Sequence, residues 1–327
     1  MWIAKPIAAL TGDEARRWSA VTAERRKRDP DTPLAQTLTW ARAAEATGAR
    51  AWVVFSTDEP VGGILLGYGD ELDCVNGPLI DWADPDKGMR QLATFAQGAS
   101  KMVAGLARME LHPRWPRERA SEWSQSVPLE IDRTDLAATR ILGLEAKDSE
   151  QIDGFSPRLK RTLRQSLSRV MDSGWEPLDA AAVDPFLERM ADFARDAEVT
   201  IPPQAWFAPF LTDGSEIQLW RAWASLGVDG VESASAEVVI ALYGSRAHYL
   251  FGYQRRADGA PGALSASAVA QFLAIRGSHA AGAETYDFNG WIEKTGPDHP
   301  YAGVNAFKEQ FGGEVLAYSI PRFVIEA

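Results

Sequence analysis

Residues 238–254 read VVIALYGSRAHYLFGYQ, and this stretch decides the fold class. Its two β-rich runs flank Gly244, so it predicts a strand hairpin. A helix of small residues follows over 265–282, then a short strand and turn, TYDFNG, over 285–290, and a further helix over 301–310. Strands that alternate with helices in this way predict an α/β domain with a mixed sheet flanked by helices.

The N-terminal half contains elements in the same order, which indicates that one α/β unit is duplicated. The pattern predicts two helices, a hairpin, a third helix and a strand, over 11–29, 34–48, 51–66, 87–107 and 107–113. A second cycle begins at Thr139 and includes predicted helices over 156–171 and 184–197. A chain of 327 residues also favours two domains.

The composition limits the classes of function. The formal net charge of −11 argues against general binding to nucleic acid, although residues 154–171 carry five Lys and Arg residues and no acid. The single cysteine, Cys74, excludes an intrachain disulfide, and the four histidines lack metal-ligand spacing. No stretch approaches the ~20 apolar residues that cross a bilayer, so we expect a cytoplasmic protein without a secretory signal.

Several motifs, in this order along the chain, resemble those of the Fem aminoacyltransferases. They are LAQTLTW (34–40), ELDCVNGPLIDW (71–82), PRLKRTLRQSLSRVMDSGWEP (157–177), VVIALYGSRAHYLFGYQ (238–254), ETYDFNG (284–290) and VNAFKEQFGGEVLAYSIPRFVI (304–325). The resemblance covers nearly the whole chain. Only a short helix and loop fit between Trp175 and Ile217, so the chain is similar to the compact FemX type without a coiled-coil arm.

The resemblance implies two tandem GNAT-like (acetyltransferase-fold) domains, over 1–138 and 139–316, with a C-terminal strand, 317–327, that joins the first. It implies transfer of an amino acid from aminoacyl-tRNA to an amine in the stem peptide of a UDP-linked or lipid-linked peptidoglycan precursor. This reaction needs no cofactor, and it allows transient contact with the inner face of the membrane. QRRADGAPGALS (254–265) lacks the spacing of the loop that holds pyrophosphate in acetyl-CoA enzymes, which disfavours acetyl-CoA as donor.

Lys308 is the first candidate for catalysis. Attack by an amine on an aminoacyl ester builds negative charge on the carbonyl oxygen, and a nearby cation stabilises that charge. Val304, Phe307 and Phe311 form the apolar stripe of the predicted helix, with Lys308 at its edge. The resemblance implies that this lysine acts on the tRNA end or on the tetrahedral intermediate, and that Phe307 shapes the site. A surface lysine on an amphipathic helix is the alternative interpretation.

Other residues are candidates for substrate binding. Tyr286 and Asp287 end a predicted strand, where Asp287 either positions an amine or caps local backbone N–H groups. The basic helix that carries Lys160, Arg161 and Arg164 either contacts phosphate groups or presents a solvated charged face.

The resemblance also implies an arginine and a lysine that hold a nucleotide-sugar diphosphate, but no single position matches either. Arg195 is the nearest available arginine, and Trp206 stands where an arginine–aromatic pair is expected. Tyr253 is a candidate for the lining of a cleft between the domains.

Three functions are compatible with the sequence. The first is aminoacyl transfer from tRNA. The second is a related N-acyl transfer that uses acetyl-CoA as donor or a small-molecule amine as acceptor. The third is a non-catalytic Fem-like protein that binds an active enzyme or a cell-wall ligand.

Overall fold

The computed structural model describes residues 1–29, 31–117, 119–124, 131–197, 201–257, 264–292, 299 and 301–326. The chain divides into two compact units. Unit 1 consists of Met1–Ala137, Ala205–Glu216 and Ala317–Ala327, and unit 2 consists of Ala138–Gln204 and Ile217–Leu316. Each unit has a mixed sheet with helices packed on it, which confirms the predicted α/β class.

Short runs of strands are separated by helices along the chain. The strands are β1 (Trp2–Pro6), β2 (Arg50–Ser56), β3 (Gly62–Tyr68), β4 (Glu71–Cys74), β5 (Arg108–Leu111), β6 (Trp115–Pro116), β7 (Arg133–Gly143), β8 (Val170–Pro177), β9 (Gln218–Val228), β10 (Val231–Tyr243), β11 (Arg246–Arg256), β12 (Thr285–Asp287) and β13 (Glu314–Glu326). The helices are α1 (Gly12–Arg28), α2 (Leu38–Ala46), α3 (Pro85–Met102), α4 (Ala120–Ser124), α5 (Asp148–Asp153), α6 (Pro157–Leu167), α7 (Ala180–Ala197), α8 (Gln204–Phe207), α9 (Ala266–Ala280) and α10 (Ala302–Glu309).

The sheet of unit 1 has the strand order β1-β2-β3-β4-β5-β13. Its neighbouring strands are antiparallel except β4 and β5, which run parallel with Cys74 opposite Leu111. The connection between these two strands is α3, which begins at an Asp84 cap with Pro85 in its first turn. This helix buries Leu92 and Phe95 in the core of the unit.

Residues 205–216 belong to unit 1, although the chain on both sides of them belongs to unit 2. The sequence predicts these residues within the second domain. Their place follows from aromatic packing, since the ring centroid of Trp206 lies 5.4 Å from that of Trp40 on α2. The Glu216 carboxylate also accepts a hydrogen bond of 2.6 Å from the Leu38 N–H, in the first turn of α2.

The sheet of unit 2 has the strand order β7-β12-β11-β10-β9-β8. Its strands are antiparallel except β11 and β12, which run parallel with His248 opposite Asp287. One face of this sheet presents alternate apolar residues such as Val238 and Ile240, and α9 covers them. Because side chains alternate along a strand, Glu237 on β10 faces the opposite, polar side.

The structure differs from the sequence prediction at β8. The predicted helix over 156–171 is wrong beyond Leu167, where α6 ends, and β8 begins at Val170. β8 pairs only with β9 at the edge of the sheet, and its first polar residues are exposed. It therefore lacks the alternation of buried and exposed residues that identifies a strand in sequence.

Candidate functional site

Lys308 lies in the last turn of α10 and is buried, with 5% of its surface exposed. Its Nζ donates hydrogen bonds to the carbonyl oxygens of Asn289 and Gly290, the latter at 3.0 Å. Both carbonyls belong to a turn after β12 in which these residues adopt positive φ angles of 49° and 48°. Lys308 is therefore a buried lysine held by a left-handed turn, and the alternative of a solvated surface lysine is wrong.

The Lys308 ammonium has no carboxylate within 4 Å among the described residues. Burial lowers the pKa of Lys308 to about 8, and the charge of Asp287 opposes part of that decrease. Here the described partners of the ammonium are neutral carbonyls. A buried cation of this kind attracts an approaching anion more strongly than a cation in water does. The arrangement suits the stabilisation of negative charge on a substrate oxygen.

Arg140 on β7 is a second buried cation that is held by carbonyl groups. Its Nε donates to the Gly312 carbonyl oxygen at 2.7 Å, and its guanidinium lies 4.8 Å from the ring centroid of Trp291. Burial lowers the pKa of Arg140, while the charge of Glu309 raises it. The sequence pattern of β7 gave no signal for this residue because an isolated arginine in a strand is usually a surface residue.

The glycine pair after α10 allows the helix end to approach β7 closely. Gly312 and Gly313 have φ angles of 81° and 77°, which residues other than glycine rarely adopt. A Cβ atom on Gly313 would also collide with the carbonyl oxygen of Ile141. The FGG part of the motif is therefore required by backbone packing beside Lys308.

Asp287 lies at the end of β12 and is buried. Its Oδ1 accepts hydrogen bonds from the Thr139 hydroxyl and, at 2.8 Å, from the Asn289 N–H, while its Oδ2 lies 3.5 Å from His248 Nδ1. Burial by itself raises the pKa of Asp287, but these contacts outweigh burial, so the pKa lies below its ordinary value. Asp287 thus stays ionised and also caps the turn that binds Lys308.

Tyr286 and Phe307 have different surroundings. Tyr286 is fully buried, and its hydroxyl donates to Gln271 Oε1 at 2.6 Å, so the side chain belongs to the core of unit 2. Phe307 packs partly buried against Phe311, with ring centroids 5.3 Å apart, and also lines a groove on the unit's surface. Of these two aromatic residues, Phe307 is the one with a surface that a ligand can reach.

The groove that Phe307 lines lies at the N-terminus of α9, and we call it the α9 groove. Its volume is about 520 Å³, and none of the described residues that line it is acidic. Its cationic residues are Arg158, Arg255 and Arg256. Ser265 caps the helix, and the N–H groups of Ala266 and Ser267 have no hydrogen-bond partner among the described residues. Cations and free N–H groups at a helix N-terminus favour binding of an anion such as phosphate.

The corresponding helix of unit 1, α3, has the opposite charge at its N-terminus. Both helices connect the two parallel strands of their sheets, so they occupy equivalent positions in the two units. The start of α3 carries Asp81, Asp84 and Asp86, and its Asp84 side chain already accepts the Lys87 N–H. Acidic side chains neutralise the positive end of the helix dipole. Only unit 2 therefore offers an anion-binding helix start at this position.

A second groove of about 690 Å³ lies on the polar face of the unit 2 sheet. At its floor, Glu237 accepts hydrogen bonds from Arg189 at 2.6 Å, from Arg221 at 3.2 Å and from the Tyr253 hydroxyl at 3.2 Å. Tyr253 is thus bound to a buried carboxylate, and burial raises the pKa of its hydroxyl. The Glu237 carboxylate at the floor of this groove is therefore compensated by two arginines.

The remaining predicted binding residues lie elsewhere. Trp206 is buried in the aromatic cluster of unit 1, and Arg195 is exposed on α7, where it pairs with Asp192 at 3.2 Å. Lys160 donates to the Asp153 carbonyl oxygen, whereas Arg161 and Arg164 are exposed on α6. None of these five residues lines the α9 groove, which Arg158 of the same basic segment reaches instead.

Among the residues that the structure describes, one cluster could hold a metal ion, and it lies in unit 1. Asp73, Glu110 and His112 place one ligand atom each within 4.8 Å of one another. Parallel pairing of β4 and β5 brings them together, which explains why their sequence spacing gave no signal. Glu110 already binds two arginines, Arg108 at 2.9 Å and Arg322, so its charge is compensated without a metal.

None of the helices in the described part of the chain is both long and apolar enough to cross a membrane.

Many solved structures resemble this chain, and three of them are informative over nearly its full length, whereas no family model and no curated protein sequence matches it. FemX has a TM-score of 0.72 and 14% identity, over 98% of this chain and 96% of its own. A tandem GNAT protein from the clavulanic acid biosynthesis pathway has a TM-score of 0.54 and 12% identity, over 100% of this chain and 98% of its own.

The C-terminal domain (DUF2156) assigned to a lysylphosphatidylglycerol synthetase of Agrobacterium fabrum has a TM-score of 0.52 and 11% identity, over 94% of this chain and 92% of its own. At such low identity these likenesses establish the fold alone. The chain therefore has a tandem GNAT-like fold similar to that of FemX, as its motifs predict.

Proposed function

We propose that the protein is an aminoacyltransferase that moves an amino acid from aminoacyl-tRNA to an amine of a peptidoglycan precursor in the cytoplasm. The observation that carries this proposal is the buried ammonium of Lys308, which has no carboxylate partner among the described residues. Its neighbour Phe307 lines a groove whose described lining residues include no acid. FemX, the solved structure with the highest TM-score quoted above, supports the choice of this reaction among acyl transfers.

The chemistry requires little beyond alignment and charge stabilisation. The acceptor amine attacks the ester carbonyl, an amide bond forms, and the ester C–O bond breaks to release the terminal hydroxyl of the tRNA. An aminoacyl ester is already activated, so no cofactor is needed. In this proposal Lys308 stabilises the oxyanion of the tetrahedral intermediate, and removal of such a stabilising group typically lowers kcat by roughly 10²–10³-fold.

The α9 groove is the proposed site for the anionic part of the donor. Arg158, Arg255 and Arg256 and the free N–H groups of α9 suit the phosphates at the 3′ end of a tRNA. The described lining residues include three arginines and no acid, so the groove suits a polyanion even though the whole chain has a net charge of −11. Phe307 lines this groove and directly precedes Lys308 in α10, so in this proposal the acyl end of the donor lies where it can reach the Lys308 ammonium.

The second candidate is N-acyl transfer from acetyl-CoA, or to a small amine. The α9 groove is compatible with acetyl-CoA as donor, because a helix N-terminus with arginines also suits a pyrophosphate group. The tandem GNAT protein from clavulanic acid biosynthesis shares the fold. A thermal-shift comparison of tRNA, CoA and UDP-sugar distinguishes the two donors. Stabilisation by CoA alone contradicts the tRNA proposal.

A direct test is product formation. Purified protein is incubated with pools of charged tRNA and with UDP-linked or lipid-linked precursor, and the muropeptide mass is measured. The proposal expects a mass increase of one amino-acid residue. No increase with any amino acid contradicts it, and an unchanged cellular function of the Lys308→Met variant would favour the non-catalytic, binding alternative.

A further inference from the structure

His248 and Asp287 form a buried carboxylate–imidazole pair in unit 2. They lie opposite each other on the parallel strands β11 and β12, and His248 Nδ1 is 3.5 Å from Asp287 Oδ2. Their side chains point away from the α9-covered face, since their neighbours Ala247 and Tyr286 belong to the core on that face. The sequence gave no signal for His248, because the pair exists only through strand pairing across 39 residues.

The second nitrogen of His248 is free to act on a substrate. His248 Nε2 has no hydrogen-bond partner among the described residues, and 8% of the residue's surface is exposed. A carboxylate next to Nδ1 favours the tautomer with the proton on Nδ1, which leaves the lone pair on Nε2. The Thr139 hydroxyl and the Asn289 N–H fix the orientation of this carboxylate.

The same turn connects this pair to Lys308. The Asn289 N–H donates to Asp287, and the Asn289 carbonyl oxygen accepts from Lys308 Nζ. One short stretch of backbone therefore holds a cation and a free imidazole nitrogen in the same region of unit 2. A cation for the oxyanion and a base for the nucleophile are the two groups that amide formation from an ester requires.

We propose that His248 is the general base that accepts the proton of the acceptor amine, with Asp287 as its positioning residue; this inference rests on the proposed acyl transfer. The amine nitrogen forms the bond to the carbonyl carbon, and its proton moves to His248 Nε2. The ester C–O bond then breaks, and the same proton passes from Nε2 to the leaving oxygen, so His248 returns to its neutral form. The amine attacks in its neutral form, and transfer of its proton to His248 as the C–N bond forms prevents a build-up of positive charge on the nitrogen.

The kinetic test compares wild type with His248→Gln and His248→Ala in single-turnover transfer at saturating donor. Loss of a general base typically costs roughly 10²–10⁴-fold in rate, and we expect a decrease in this range with donor affinity unchanged within about twofold. Added imidazole should restore part of the rate of the alanine variant, which a purely structural role of His248 would not allow.

Equal thermal midpoints of the variants exclude misfolding as the cause. A glutamine variant within about threefold of an active wild type overturns the assignment while the transferase function stands.

A second measurement does not depend on turnover. The ¹⁵N chemical shifts of His248 in the wild-type protein report which ring nitrogen carries the proton. The proposal expects the Nδ1–H tautomer in wild type and its loss in Asp287→Asn. An Nε2–H tautomer in wild type overturns the proposal. If wild type makes no product with any donor, the transferase function falls, and the role of His248 in it falls as well.

Discussion

At the scale of single residues, the environment of Lys308 separates a structural lysine from a functional one. A lysine that only stabilises a fold usually keeps its ammonium in water or pairs it with a carboxylate. Lys308 does neither within the described part of the chain, where its Nζ contacts the carbonyl oxygens of Asn289 and Gly290 and no carboxylate. Burial of a charge without an ionic partner costs stability, and such costs are concentrated at functional sites.

Lys308→Met should abolish most of the activity without loss of stability. Methionine keeps an unbranched chain of similar length, so the cavity is filled, but the charge for the oxyanion is lost. We expect kcat/KM to fall by roughly 10²–10³-fold. The thermal midpoint should stay equal or rise, because a desolvated ammonium is removed. Lys147→Met is the matched control, because Lys147 is exposed and pairs with Glu150; a variant at Lys308 that is as active as this control contradicts the mechanism.

The pH dependence of activity should report the charge on Lys308. Burial lowers the pKa of Lys308 from its ordinary value to about 8, so the ammonium is lost as the pH rises through that value. If the charged form is required, kcat/KM decreases above pH about 8. The residual activity of Lys308→Met should lack this decrease. A wild-type rate that continues to rise to pH 10 would show that the neutral amine, and not the ammonium, is the active form.

At the scale of elements, the helix start of α9 decides what the site can bind. The sequence shows that segment 154–171 is basic, but it cannot show which side of α6 faces the groove. The structure brings Arg158 into the α9 groove and leaves Arg161 and Arg164 exposed elsewhere on the helix. The direction of a side chain on a helix depends on which face packs, and α6 packs Leu159 and Leu163 inward.

Arg158→Ala and Arg255→Ala should each weaken binding of tRNA. Loss of one phosphate contact reduces the slope of log affinity against log salt by about 0.7 for single-stranded RNA. We expect this change in slope for both variants in a filter-binding or fluorescence titration. Arg164→Ala is the control on the same helix and should leave the slope unchanged. An equal effect of all three substitutions would indicate diffuse attraction to a basic surface and not a groove.

Glu216 offers a prediction on stability at the N-terminus of α2. Burial raises the pKa of Glu216, although the N–H groups of Thr39 and Leu38 and nearby arginines oppose the increase. Because the pKa is raised, the folded state binds this proton more tightly than the unfolded state does. The stability that the proton contributes is lost as the pH rises through the folded-state pKa. Glu216→Gln mimics the protonated form. Its free energy of unfolding relative to wild type should therefore increase between pH 4 and pH 7 in urea titrations; a constant or decreasing difference contradicts the assignment.

The limits of prediction from sequence are also visible at this scale. The elements around Lys308 were predictable, because their motifs are local: a hairpin at Gly244, a strand at 285–287 and a helix closed by two glycines. The edge strand β8 was not predictable, because edge strands with exposed polar residues lack a period of two. His248 and Arg140 were missed because their roles arise from pairing with residues far away in sequence.

At the scale of the whole molecule, the two units share an order of elements but differ in charge at equivalent helices. The start of α3 is acidic and that of α9 is basic, although both connect the parallel strands of their sheets. Of these two equivalent helix starts, the one of α9 therefore has the charge that suits an anion. This asymmetry assigns the anionic donor to unit 2, together with Lys308, in the proposed reaction.

The transfer assay with Lys308 variants tests the central claim most directly. Wild type, Lys308→Met and Lys147→Met are given the same charged tRNA and muropeptide acceptor, and single-turnover rates are measured at pH 7. We predict that the wild type and the Lys147 variant form the aminoacylated muropeptide at similar rates, and that the Lys308 variant is slower by at least roughly 10²-fold. Equal rates for all three proteins would contradict the claim that a buried ammonium at position 308 carries the reaction.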